Sequence, residues 1–232
     1  RTNTDGTRHL IDALQAEGMV PKRFVFVSSL SIFGAIREKA VRKPSADNPW
    51  IYSPILLTDM PQPNTAYGRS KLQAEEYLQQ QKDFPFTILR PTGVYGPREK
   101  DYFMMAKSIK QHIDFAVGFQ PQEITFVYMM DVVQAVYKCM DAPAAVGKGY
   151  FLSDGEVYNS RRFSDLLQQY LGNPWVLHVK APLWLLRIIC WVSTRVSHIT
   201  GKMNALNNDK YHILSQRNWQ CDIEPAIQDF GY

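Results

Sequence analysis

The sequence predicts an α/β fold with a parallel sheet, because short apolar segments alternate with amphipathic helical ones along the chain. The segments 23–30 (RFVFVSSL) and 86–90 (FTILR) are rich in β-branched and aromatic residues, as strands covered on both faces are. A helical pattern lies between them, with Thr65 at its start as the predicted N-cap. This strand–helix–strand alternation calls for a parallel sheet with right-handed crossovers.

The other elements follow from the same patterns of apolar spacing and capping residues. Asp131 and Ser160 are the predicted N-caps of two later helices. Helices are predicted at 3–18, 65–83, 102–113, 131–140, 160–171, 182–199 and 207–217, and further strands at 124–129, 149–152 and 175–179.

The composition is that of an ordinary globular protein, with 45% hydrophobic and 21% charged residues among 232. The Lys and Arg residues give a net charge of +4 but form no block, so nucleic-acid binding is not indicated. Cys139, Cys190 and Cys221 lack C-x-x-C spacing, which argues against a metal site or a disulfide framework. We therefore expect a reducing, cytoplasmic location.

The beginning of the chain carries no signal-peptide pattern. It opens with Arg1 rather than Met, inside what is predicted to be the first turn of a helix. We therefore expect the sequence to be a fragment of a longer protein.

Tyr67 and Lys71 are four residues apart at the start of a helical segment, so both polar tips can reach one point. A nearby ammonium favours the phenolate, and we expect Lys71 to lower the pKa of Tyr67 towards a value useful in proton transfer. The same spacing also occurs by chance as a solvated Tyr and a solvated Lys, and the pair alone does not distinguish these interpretations.

Ser28 and Ser29 lie where the first predicted strand ends, the edge at which open α/β sheets bind ligands. Such hydroxyls are either capping groups or catalytic ones. The stretch 36–63 is long, irregular and rich in Pro, and it is either a surface insertion or a functional loop over the substrate mouth.

Five segments in order resemble the extended short-chain dehydrogenase/reductase family, the NAD-dependent epimerases and dehydratases. They are 3–7 (NTDGT), 26–34 (FVSSLSIFG), 67–71 (YGRSK), 89–98 (LRPTGVYGPR) and 126–133 (FVYMMDVV). The resemblance implies a Rossmann-like, doubly wound parallel sheet with a smaller α/β substrate-binding region. It implies that 1–95 belong to the cofactor-binding domain and 96–232 mainly to the substrate region, with some segments returning to the sheet.

The resemblance also implies catalytic roles. Tyr67 would exchange the proton of a substrate hydroxyl while hydride moves to or from NAD or NADP. Lys71 would bind the nicotinamide ribose and lower the pKa of Tyr67. Ser29 would hydrogen-bond the substrate oxygen, and Ser28 would take this place if the alignment shifts by one residue.

Four further positions carry implied binding roles. Asn3 would support the site from below as a polar group. Pro91 and Val94 would line the nicotinamide pocket. Arg98 would face an anionic or polar group of a small-molecule substrate, or would simply be a surface residue. Members of the family often pair through the helices that hold 3–14 and 67–78, so a homodimer is implied as well.

Two features depart from the family pattern. Ser29 and Tyr67 are farther apart in sequence than is usual, which places an insertion in the Pro-rich stretch. No Gly-x-x-Gly-x-x-Gly follows a strand, although a dinucleotide fold needs such a loop to bind the pyrophosphate. The family carries this loop in a first half that would precede Arg1.

The preferred function is an NAD(P)-dependent oxidoreductase or epimerase/dehydratase acting on a nucleotide sugar or a sterol- or flavonoid-like alcohol. One alternative is a non-catalytic binding or scaffold protein on the same fold. Another is a lipid-facing enzyme, because 182–199 is the most apolar segment. For that segment, a helix that packs on the core or on a substrate pocket is favoured over a helix that lies on a membrane surface. If the helix did lie on a membrane, the contacting residues would be Trp184, Leu185, Leu186, Ile188, Ile189 and Trp191.

Overall fold

The computed structural model describes residues 2–39, 41–42, 50–200 and 206–232, with the backbone alone at 41–42, 50–51 and 198–200. Within these residues the helices are α1 (Thr2–Ala16), α2 (Ala66–Gln79), α3 (Asp101–Lys110), α4 (Met129–Asp141), α5 (Ser160–Tyr170), α6 (Leu183–Thr200), α7 (Asn208–Ser215) and α8 (Glu224–Phe230). The strands are β1 (Phe24–Val27), β2 (Val41–Arg42), β3 (Trp50–Ile51), β4 (Phe86–Pro91), β5 (Gly93–Tyr95), β6 (Ile113–Val117), β7 (Glu123–Ile124), β8 (Phe126–Tyr128), β9 (Lys148–Leu152), β10 (Tyr158–Asn159) and β11 (Leu177–Ala181). Two 3-10 turns, Leu30–Ile32 and Pro143–Ala145, complete the elements.

The central sheet is parallel and has the strand order β1-β4-β9 in the described residues. Phe26 is in register with Ile88, and Leu89 with Tyr150. The two strands predicted from apolar composition are therefore neighbours, and a segment from the second half of the chain joins them.

Helices cover both faces of this sheet, as the alternating direction of side chains along a strand requires. Ile88 belongs to a buried cluster with Ile11 of α1 and Leu78 of α2. The next residue, Leu89, belongs to a cluster on the other face that includes residues of α4 and α8. The prediction of a doubly wound parallel sheet is confirmed.

The remaining strands form short pairs, of which the antiparallel pair β2–β3 lies before residue 52 and three lie between 93 and 181. The pairs β5–β8 and β6–β11 are parallel, and β7–β10 is antiparallel. These pairs, with α3 and α5, are a second α/β region. The exact division of the chain at residue 95 stays a prediction.

Several predicted boundaries were wrong for local reasons. The first strand ends at Val27, because Ser29 caps the 3-10 turn that follows. The segment 93–95, where the sequence predicts neither a helix nor a strand, forms β5. α3 ends at Lys110, because His112 adopts a left-handed backbone (φ 67°) and the chain then enters β6.

Two capping predictions were also wrong. α4 begins directly after β8, so Asp131 lies in the first turn, where a carboxylate favours the positive end of the helix dipole. At α5 the cap is Asn159, whose side chain accepts a hydrogen bond from the Arg162 N–H. Thr65, by contrast, caps α2 as predicted, with its hydroxyl accepting from the Gly68 N–H at 3.0 Å.

The Pro-rich stretch is only partly described, and 43–49 lie outside the described residues. The described remainder is not simply a surface insertion. Ile55 is fully buried beside Phe33 and Phe151, and Tyr52 is also buried. This part of the stretch contributes to the core.

The C-terminal region also differs from the prediction. Trp175 precedes β11 rather than forming part of it, the helix predicted at 207–217 is the shorter α7, and α8 was missed. α6 is helical as predicted, and Leu186 and Cys190 on one side of it are buried. Among the described helices, none combines the length and the apolar character that crossing a bilayer would need.

Candidate active site

Helix α2 presents Tyr67 and Lys71 at the carboxyl end of β1. Its first turn is fixed from two directions. Thr65 caps it from within, and the Asp209 carboxylate of α7 accepts a hydrogen bond from the Ala66 N–H at 2.9 Å. Because Ala66 immediately precedes Tyr67, the C-terminal region takes part in holding this tyrosine.

Gly68 allows α2 to approach the 3-10 turn closely. A Cβ atom built on Gly68 would lie 2.5 Å from the Ser31 carbonyl oxygen, closer than real Cβ contacts come. That oxygen belongs to the backbone, so the two elements would have to separate. The missing side chain at Gly68 therefore sets the distance between Tyr67 and the turn that contains Ser29.

The structure brings Tyr67 and Ser29 together. The Tyr67 phenol lies close enough to the Ser29 hydroxyl for the two groups to interact, although they are far apart in sequence. Burial around the phenol raises the pKa of Tyr67, and the interaction with Ser29 lowers it by less. Ser29 also accepts hydrogen bonds from the N–H and the hydroxyl of Ser31, at 3.2 and 2.9 Å, so its oxygen is held in place.

The pKa of Tyr67 is raised by burial rather than lowered as the sequence led us to expect, although the Lys71 ammonium lies 5.9 Å from the centre of the Tyr67 ring. This ammonium donates to the Val27 carbonyl oxygen at 2.8 Å and lies 5.0 Å from the centre of the Phe26 ring. Burial lowers the pKa of Lys71, while the nearby Glu75 raises it. The cation is thus held one helical turn from the phenol, at the end of β1.

Two buried hydroxyls lie unsatisfied at the same edge of the sheet. Ser28 follows β1, and Thr92 follows β4, which is the neighbouring strand. Neither the Ser28 Oγ nor the Thr92 Oγ1 has a hydrogen-bond partner among the described residues. Because a buried polar group without a partner is costly, these hydroxyls mark a place where a ligand can supply the missing bonds.

A buried ion pair ties α2 to the sheet behind the site. The Arg90 guanidinium of β4 binds Glu75 of α2, with Nη2 2.7 Å and Nε 3.1 Å from carboxylate oxygens. Both side chains are almost completely buried, and the centres of the Phe33 and Phe151 rings, which pack against each other, lie 5.7 and 5.9 Å from the guanidinium carbon. This pair fixes the rotation of α2 about its axis.

The other residues predicted for the site, Asn3, Pro91, Val94 and Arg98, differ in their contacts and in their exposure. Asn3 on α1 donates to the Ser70 hydroxyl at 3.0 Å and so supports α2. Pro91 is buried at the end of β4, and Val94 in β5 is partly exposed. Arg98 is exposed with a left-handed backbone (φ 72°), and within the described residues its guanidinium forms no ion pair or hydrogen bond.

A cavity of about 510 Å³ lies between α6 and α7. Its wall combines aromatic rings with a cation and an amide, in the set Arg187, Ile188, Trp191, Asn208, Tyr211 and His212. The size is within the usual range for a small-molecule pocket. Since Asp209 of α7 caps α2, the wall of this cavity is joined directly to the helix that carries Tyr67.

Sequence reasoning missed four of these contributions. Gly68 lies inside the recognised 67–71 motif, and a glycine within a helix was the one sign in the sequence that another element comes close there. Glu75, Thr92 and Asp209 carried no local signal, because their partners come from other elements.

The doubly wound parallel sheet, with polar groups at the carboxyl ends of adjacent strands, defines an α/β protein of the ligand-binding type. A family model agrees with this class and matches residues 1–159. The chain belongs to the NAD dependent epimerase/dehydratase family.

Curated relatives extend the similarity beyond the matched region. The chain is 27% identical over 227 residues to a UDP-glucose 4-epimerase of Vibrio cholerae, covering 94% of this chain and 63% of the relative. It is 24% identical to the N-acetyl-alpha-D-glucosaminyl-diphospho-ditrans,octacis-undecaprenol 4-epimerase of Escherichia coli O157:H7, covering 89% and 59%. The human short-chain dehydrogenase/reductase family 42E member 1 is 27% identical, covering 87% and 52%. The chain thus spans between half and two thirds of these relatives.

Solved structures show the same fold. A double mutant of the dTDP-glucose 4,6-dehydratase DesIV from Streptomyces venezuelae, with NAD bound, superposes with a TM-score of 0.70 at 17% identity, covering 100% of this chain and 60% of that one. RMD from Pseudomonas aeruginosa, in complex with NADPH, gives 0.67 at 20% identity, covering 99% and 67%. The predicted Rossmann-like fold is confirmed.

Proposed function

We propose that the protein containing this chain is an NAD(P)-dependent epimerase, dehydratase or reductase that acts on a hydroxyl-bearing carbon of a diphosphate-linked sugar. The observation that carries the proposal is the closeness of the Tyr67 phenol to the Ser29 hydroxyl at the carboxyl end of the sheet. A phenol held beside a fixed hydroxyl is a suitable pair for binding one substrate oxygen and exchanging its proton.

The residues at this edge fit a nicotinamide cofactor. The unpartnered hydroxyls of Ser28 and Thr92 can accept or donate hydrogen bonds to its polar groups. The Lys71 ammonium has donors to spare beyond its bond to Val27, while Pro91 and Val94 offer apolar surface. When bound, NAD or NADP supplies or accepts hydride.

The chain's own groups handle the proton. Because its pKa is raised, the Tyr67 phenol keeps its proton at neutral pH and can donate it from Oη to a substrate oxygen held by the Ser29 hydroxyl. In the oxidative direction Tyr67 must first lose this proton. Lys71, one turn along α2, is the cation available to stabilise the phenolate.

The substrate class is supported by the relatives and by the cavity. The epimerases of V. cholerae and E. coli are named for a sugar attached to a diphosphate. The cavity between α6 and α7 offers aromatic surface from Trp191 and Tyr211, and Arg187 for an anionic group. We propose that it receives the part of the substrate that does not react. Arg98 is then a surface residue without a role in binding.

Tyr67→Phe in the full-length protein tests the function. We expect it to abolish turnover of UDP-glucose or dTDP-glucose with NAD, while nicotinamide binding by fluorescence titration is retained. Tyr77→Phe is the matched control, because Tyr77 lies on the same helix and its hydroxyl binds Asp12 instead. This control should turn over like the wild type.

Unchanged turnover in Tyr67→Phe would refute the catalytic role. If the wild type binds no nicotinamide cofactor at high concentration, the scaffold alternative replaces the enzyme. A sterol alcohol belongs in the same substrate panel, and preference for it over both nucleotide sugars would overturn the substrate class.

We also propose a cytoplasmic homodimer. Three free cysteines fit a reducing compartment, and Leu10 on α1 is 52% exposed where α1 packs beside α2. Sedimentation velocity of Leu10→Glu checks the pairing, and a wild-type protein that sediments as a monomer would contradict it.

A further inference from the structure

Helix α6 exposes a broad apolar surface. One side of the helix packs inward through Leu186 and Cys190, which are buried. The other side carries seven large apolar residues that are 37% to 65% exposed, namely Trp184, Leu185, Ile188, Ile189, Trp191, Val192 and Val196, called here the α6 face. Ile188 and Trp191 lie at the edge of this face and also line the cavity beside α7.

The Thr194 hydroxyl of α6 lies away from this face. Thr194 is partly buried, and its hydroxyl donates to the Cys190 carbonyl oxygen at 2.8 Å and accepts from the Asn208 N–H. A helix at a water-exposed surface has the reverse arrangement, with polar residues outward. The α6 face is therefore built to meet an apolar environment.

The stretch of sequence around α6 carries basic residues but no acidic ones. Residues 166–208 contain no Asp or Glu, but they contain Lys180, Arg187, Arg195 and Lys202. The remaining 22 basic residues equal the chain's 22 acidic ones, so the whole net charge of +4 resides in this segment. A second copy seated on the α6 face would bring the like charges of Lys180, Arg187 and Arg195 together, whereas an anionic surface complements them.

We propose that the α6 face binds the surface of an anionic lipid bilayer, with α6 lying in the plane of the interface. Two tryptophans beside cationic residues are typical of interfacial helices, because the rings suit the headgroup boundary. The Arg195 guanidinium lies 5.3 Å from the centre of the Trp191 ring, so charge and apolar surface are presented together. The 18 residues of α6 lie along the bilayer surface for about 27 Å.

Vesicle co-sedimentation of the full-length protein tests this proposal. We expect binding to vesicles of phosphatidylcholine with phosphatidylglycerol, weaker binding to phosphatidylcholine alone, and release by salt. Lys180→Gln with Arg195→Gln should weaken binding about 30-fold, since each basic residue near an anionic surface contributes roughly fivefold. The exposed pair Lys22→Gln with Lys82→Gln is the charge-matched control and should bind like the wild type.

The apolar part is tested by Trp184→Ser with Leu185→Ser, which should lose most of the bound fraction. Met60→Ser with Tyr137→Ser removes comparably exposed apolar surface elsewhere and should have no effect. Thermal melts of each variant serve as the check that it folds. The proposal is overturned by a wild type that stays in the supernatant, by equal binding to neutral vesicles, or by Trp184→Ser with Leu185→Ser dissociating a dimer without changing vesicle binding.

Discussion

Replacing Gly68 by Ala tests whether close approach of α2 to the 3-10 turn positions Tyr67. The new Cβ would lie 2.5 Å from the Ser31 carbonyl oxygen, against 3.4 Å for an ordinary contact, so α2 must move by roughly 1 Å. Tyr67 is the adjacent residue and moves with it, away from Ser29.

Two opposing effects set the change in stability. Ala is favoured over Gly inside a helix by about 0.5–1 kcal/mol, whereas overpacking costs about 1–3 kcal/mol. We therefore expect a net loss of about 0.5–2 kcal/mol in the free energy of unfolding, measured by urea denaturation. Turnover of the accepted sugar nucleotide should fall about 100-fold, because misplacing a catalytic group by about 1 Å has that effect.

Gly6→Ala is the control, because Gly6 is also helical and nothing lies within 4 Å of its added Cβ. It should gain about 0.5–1 kcal/mol and keep its activity. If Gly68→Ala is as active and as stable as the wild type, the close approach does not position Tyr67 and the reasoning fails.

Three further substitutions test the surroundings of the site by urea unfolding. Arg90→Met leaves Glu75 buried without its partner and should lower the free energy of unfolding by about 3–5 kcal/mol. Arg8→Met breaks an exposed ion pair and should lower it by at most about 0.5 kcal/mol. Equal losses would contradict the role of the buried pair. Ser28→Ala removes a hydroxyl that makes no hydrogen bond, so it should not destabilise the cofactor-free protein, but it should weaken nicotinamide binding. Its control is Thr87→Val, which loses hydrogen bonds to Ala145 and Arg23 and should lower the free energy of unfolding by about 1–3 kcal/mol. Burial raises the pKa of the Cys139 thiol from 9.0 to about 11. The protonated thiol therefore contributes about 2–3 kcal/mol to the free energy of unfolding below pH 9, and this contribution is lost as the pH rises through 11. Cys139→Ala should remove this part of the pH dependence, and an unchanged profile would show that the thiol does not titrate there.

The fold was largely predictable because its signals are local. The apolar runs around Phe26 and Ile88 indicated buried strands, and Thr65 indicated the start of α2, all from residues close in sequence. The predictions failed where a neighbour in space decides the structure. β6 was missed because its partner β11 lies more than 60 residues away, and α4 needs no capping side chain because it continues directly from β8.

The candidate site also has features that the sequence predicts and features that depend on tertiary contacts. The sequence alone determined which residues belong together at the strand ends, since Ser29, Tyr67 and Lys71 stand in recognisable motifs. Only the tertiary structure decided what each does electrostatically. The Lys71 ammonium binds a carbonyl 44 residues away, partial desolvation raises the pKa of the half-exposed Tyr67, and α6 turns its apolar side outward. The reason is physical: helix and strand formation depend on neighbours along the chain, whereas desolvation and pairing of charges depend on which distant segments surround each group.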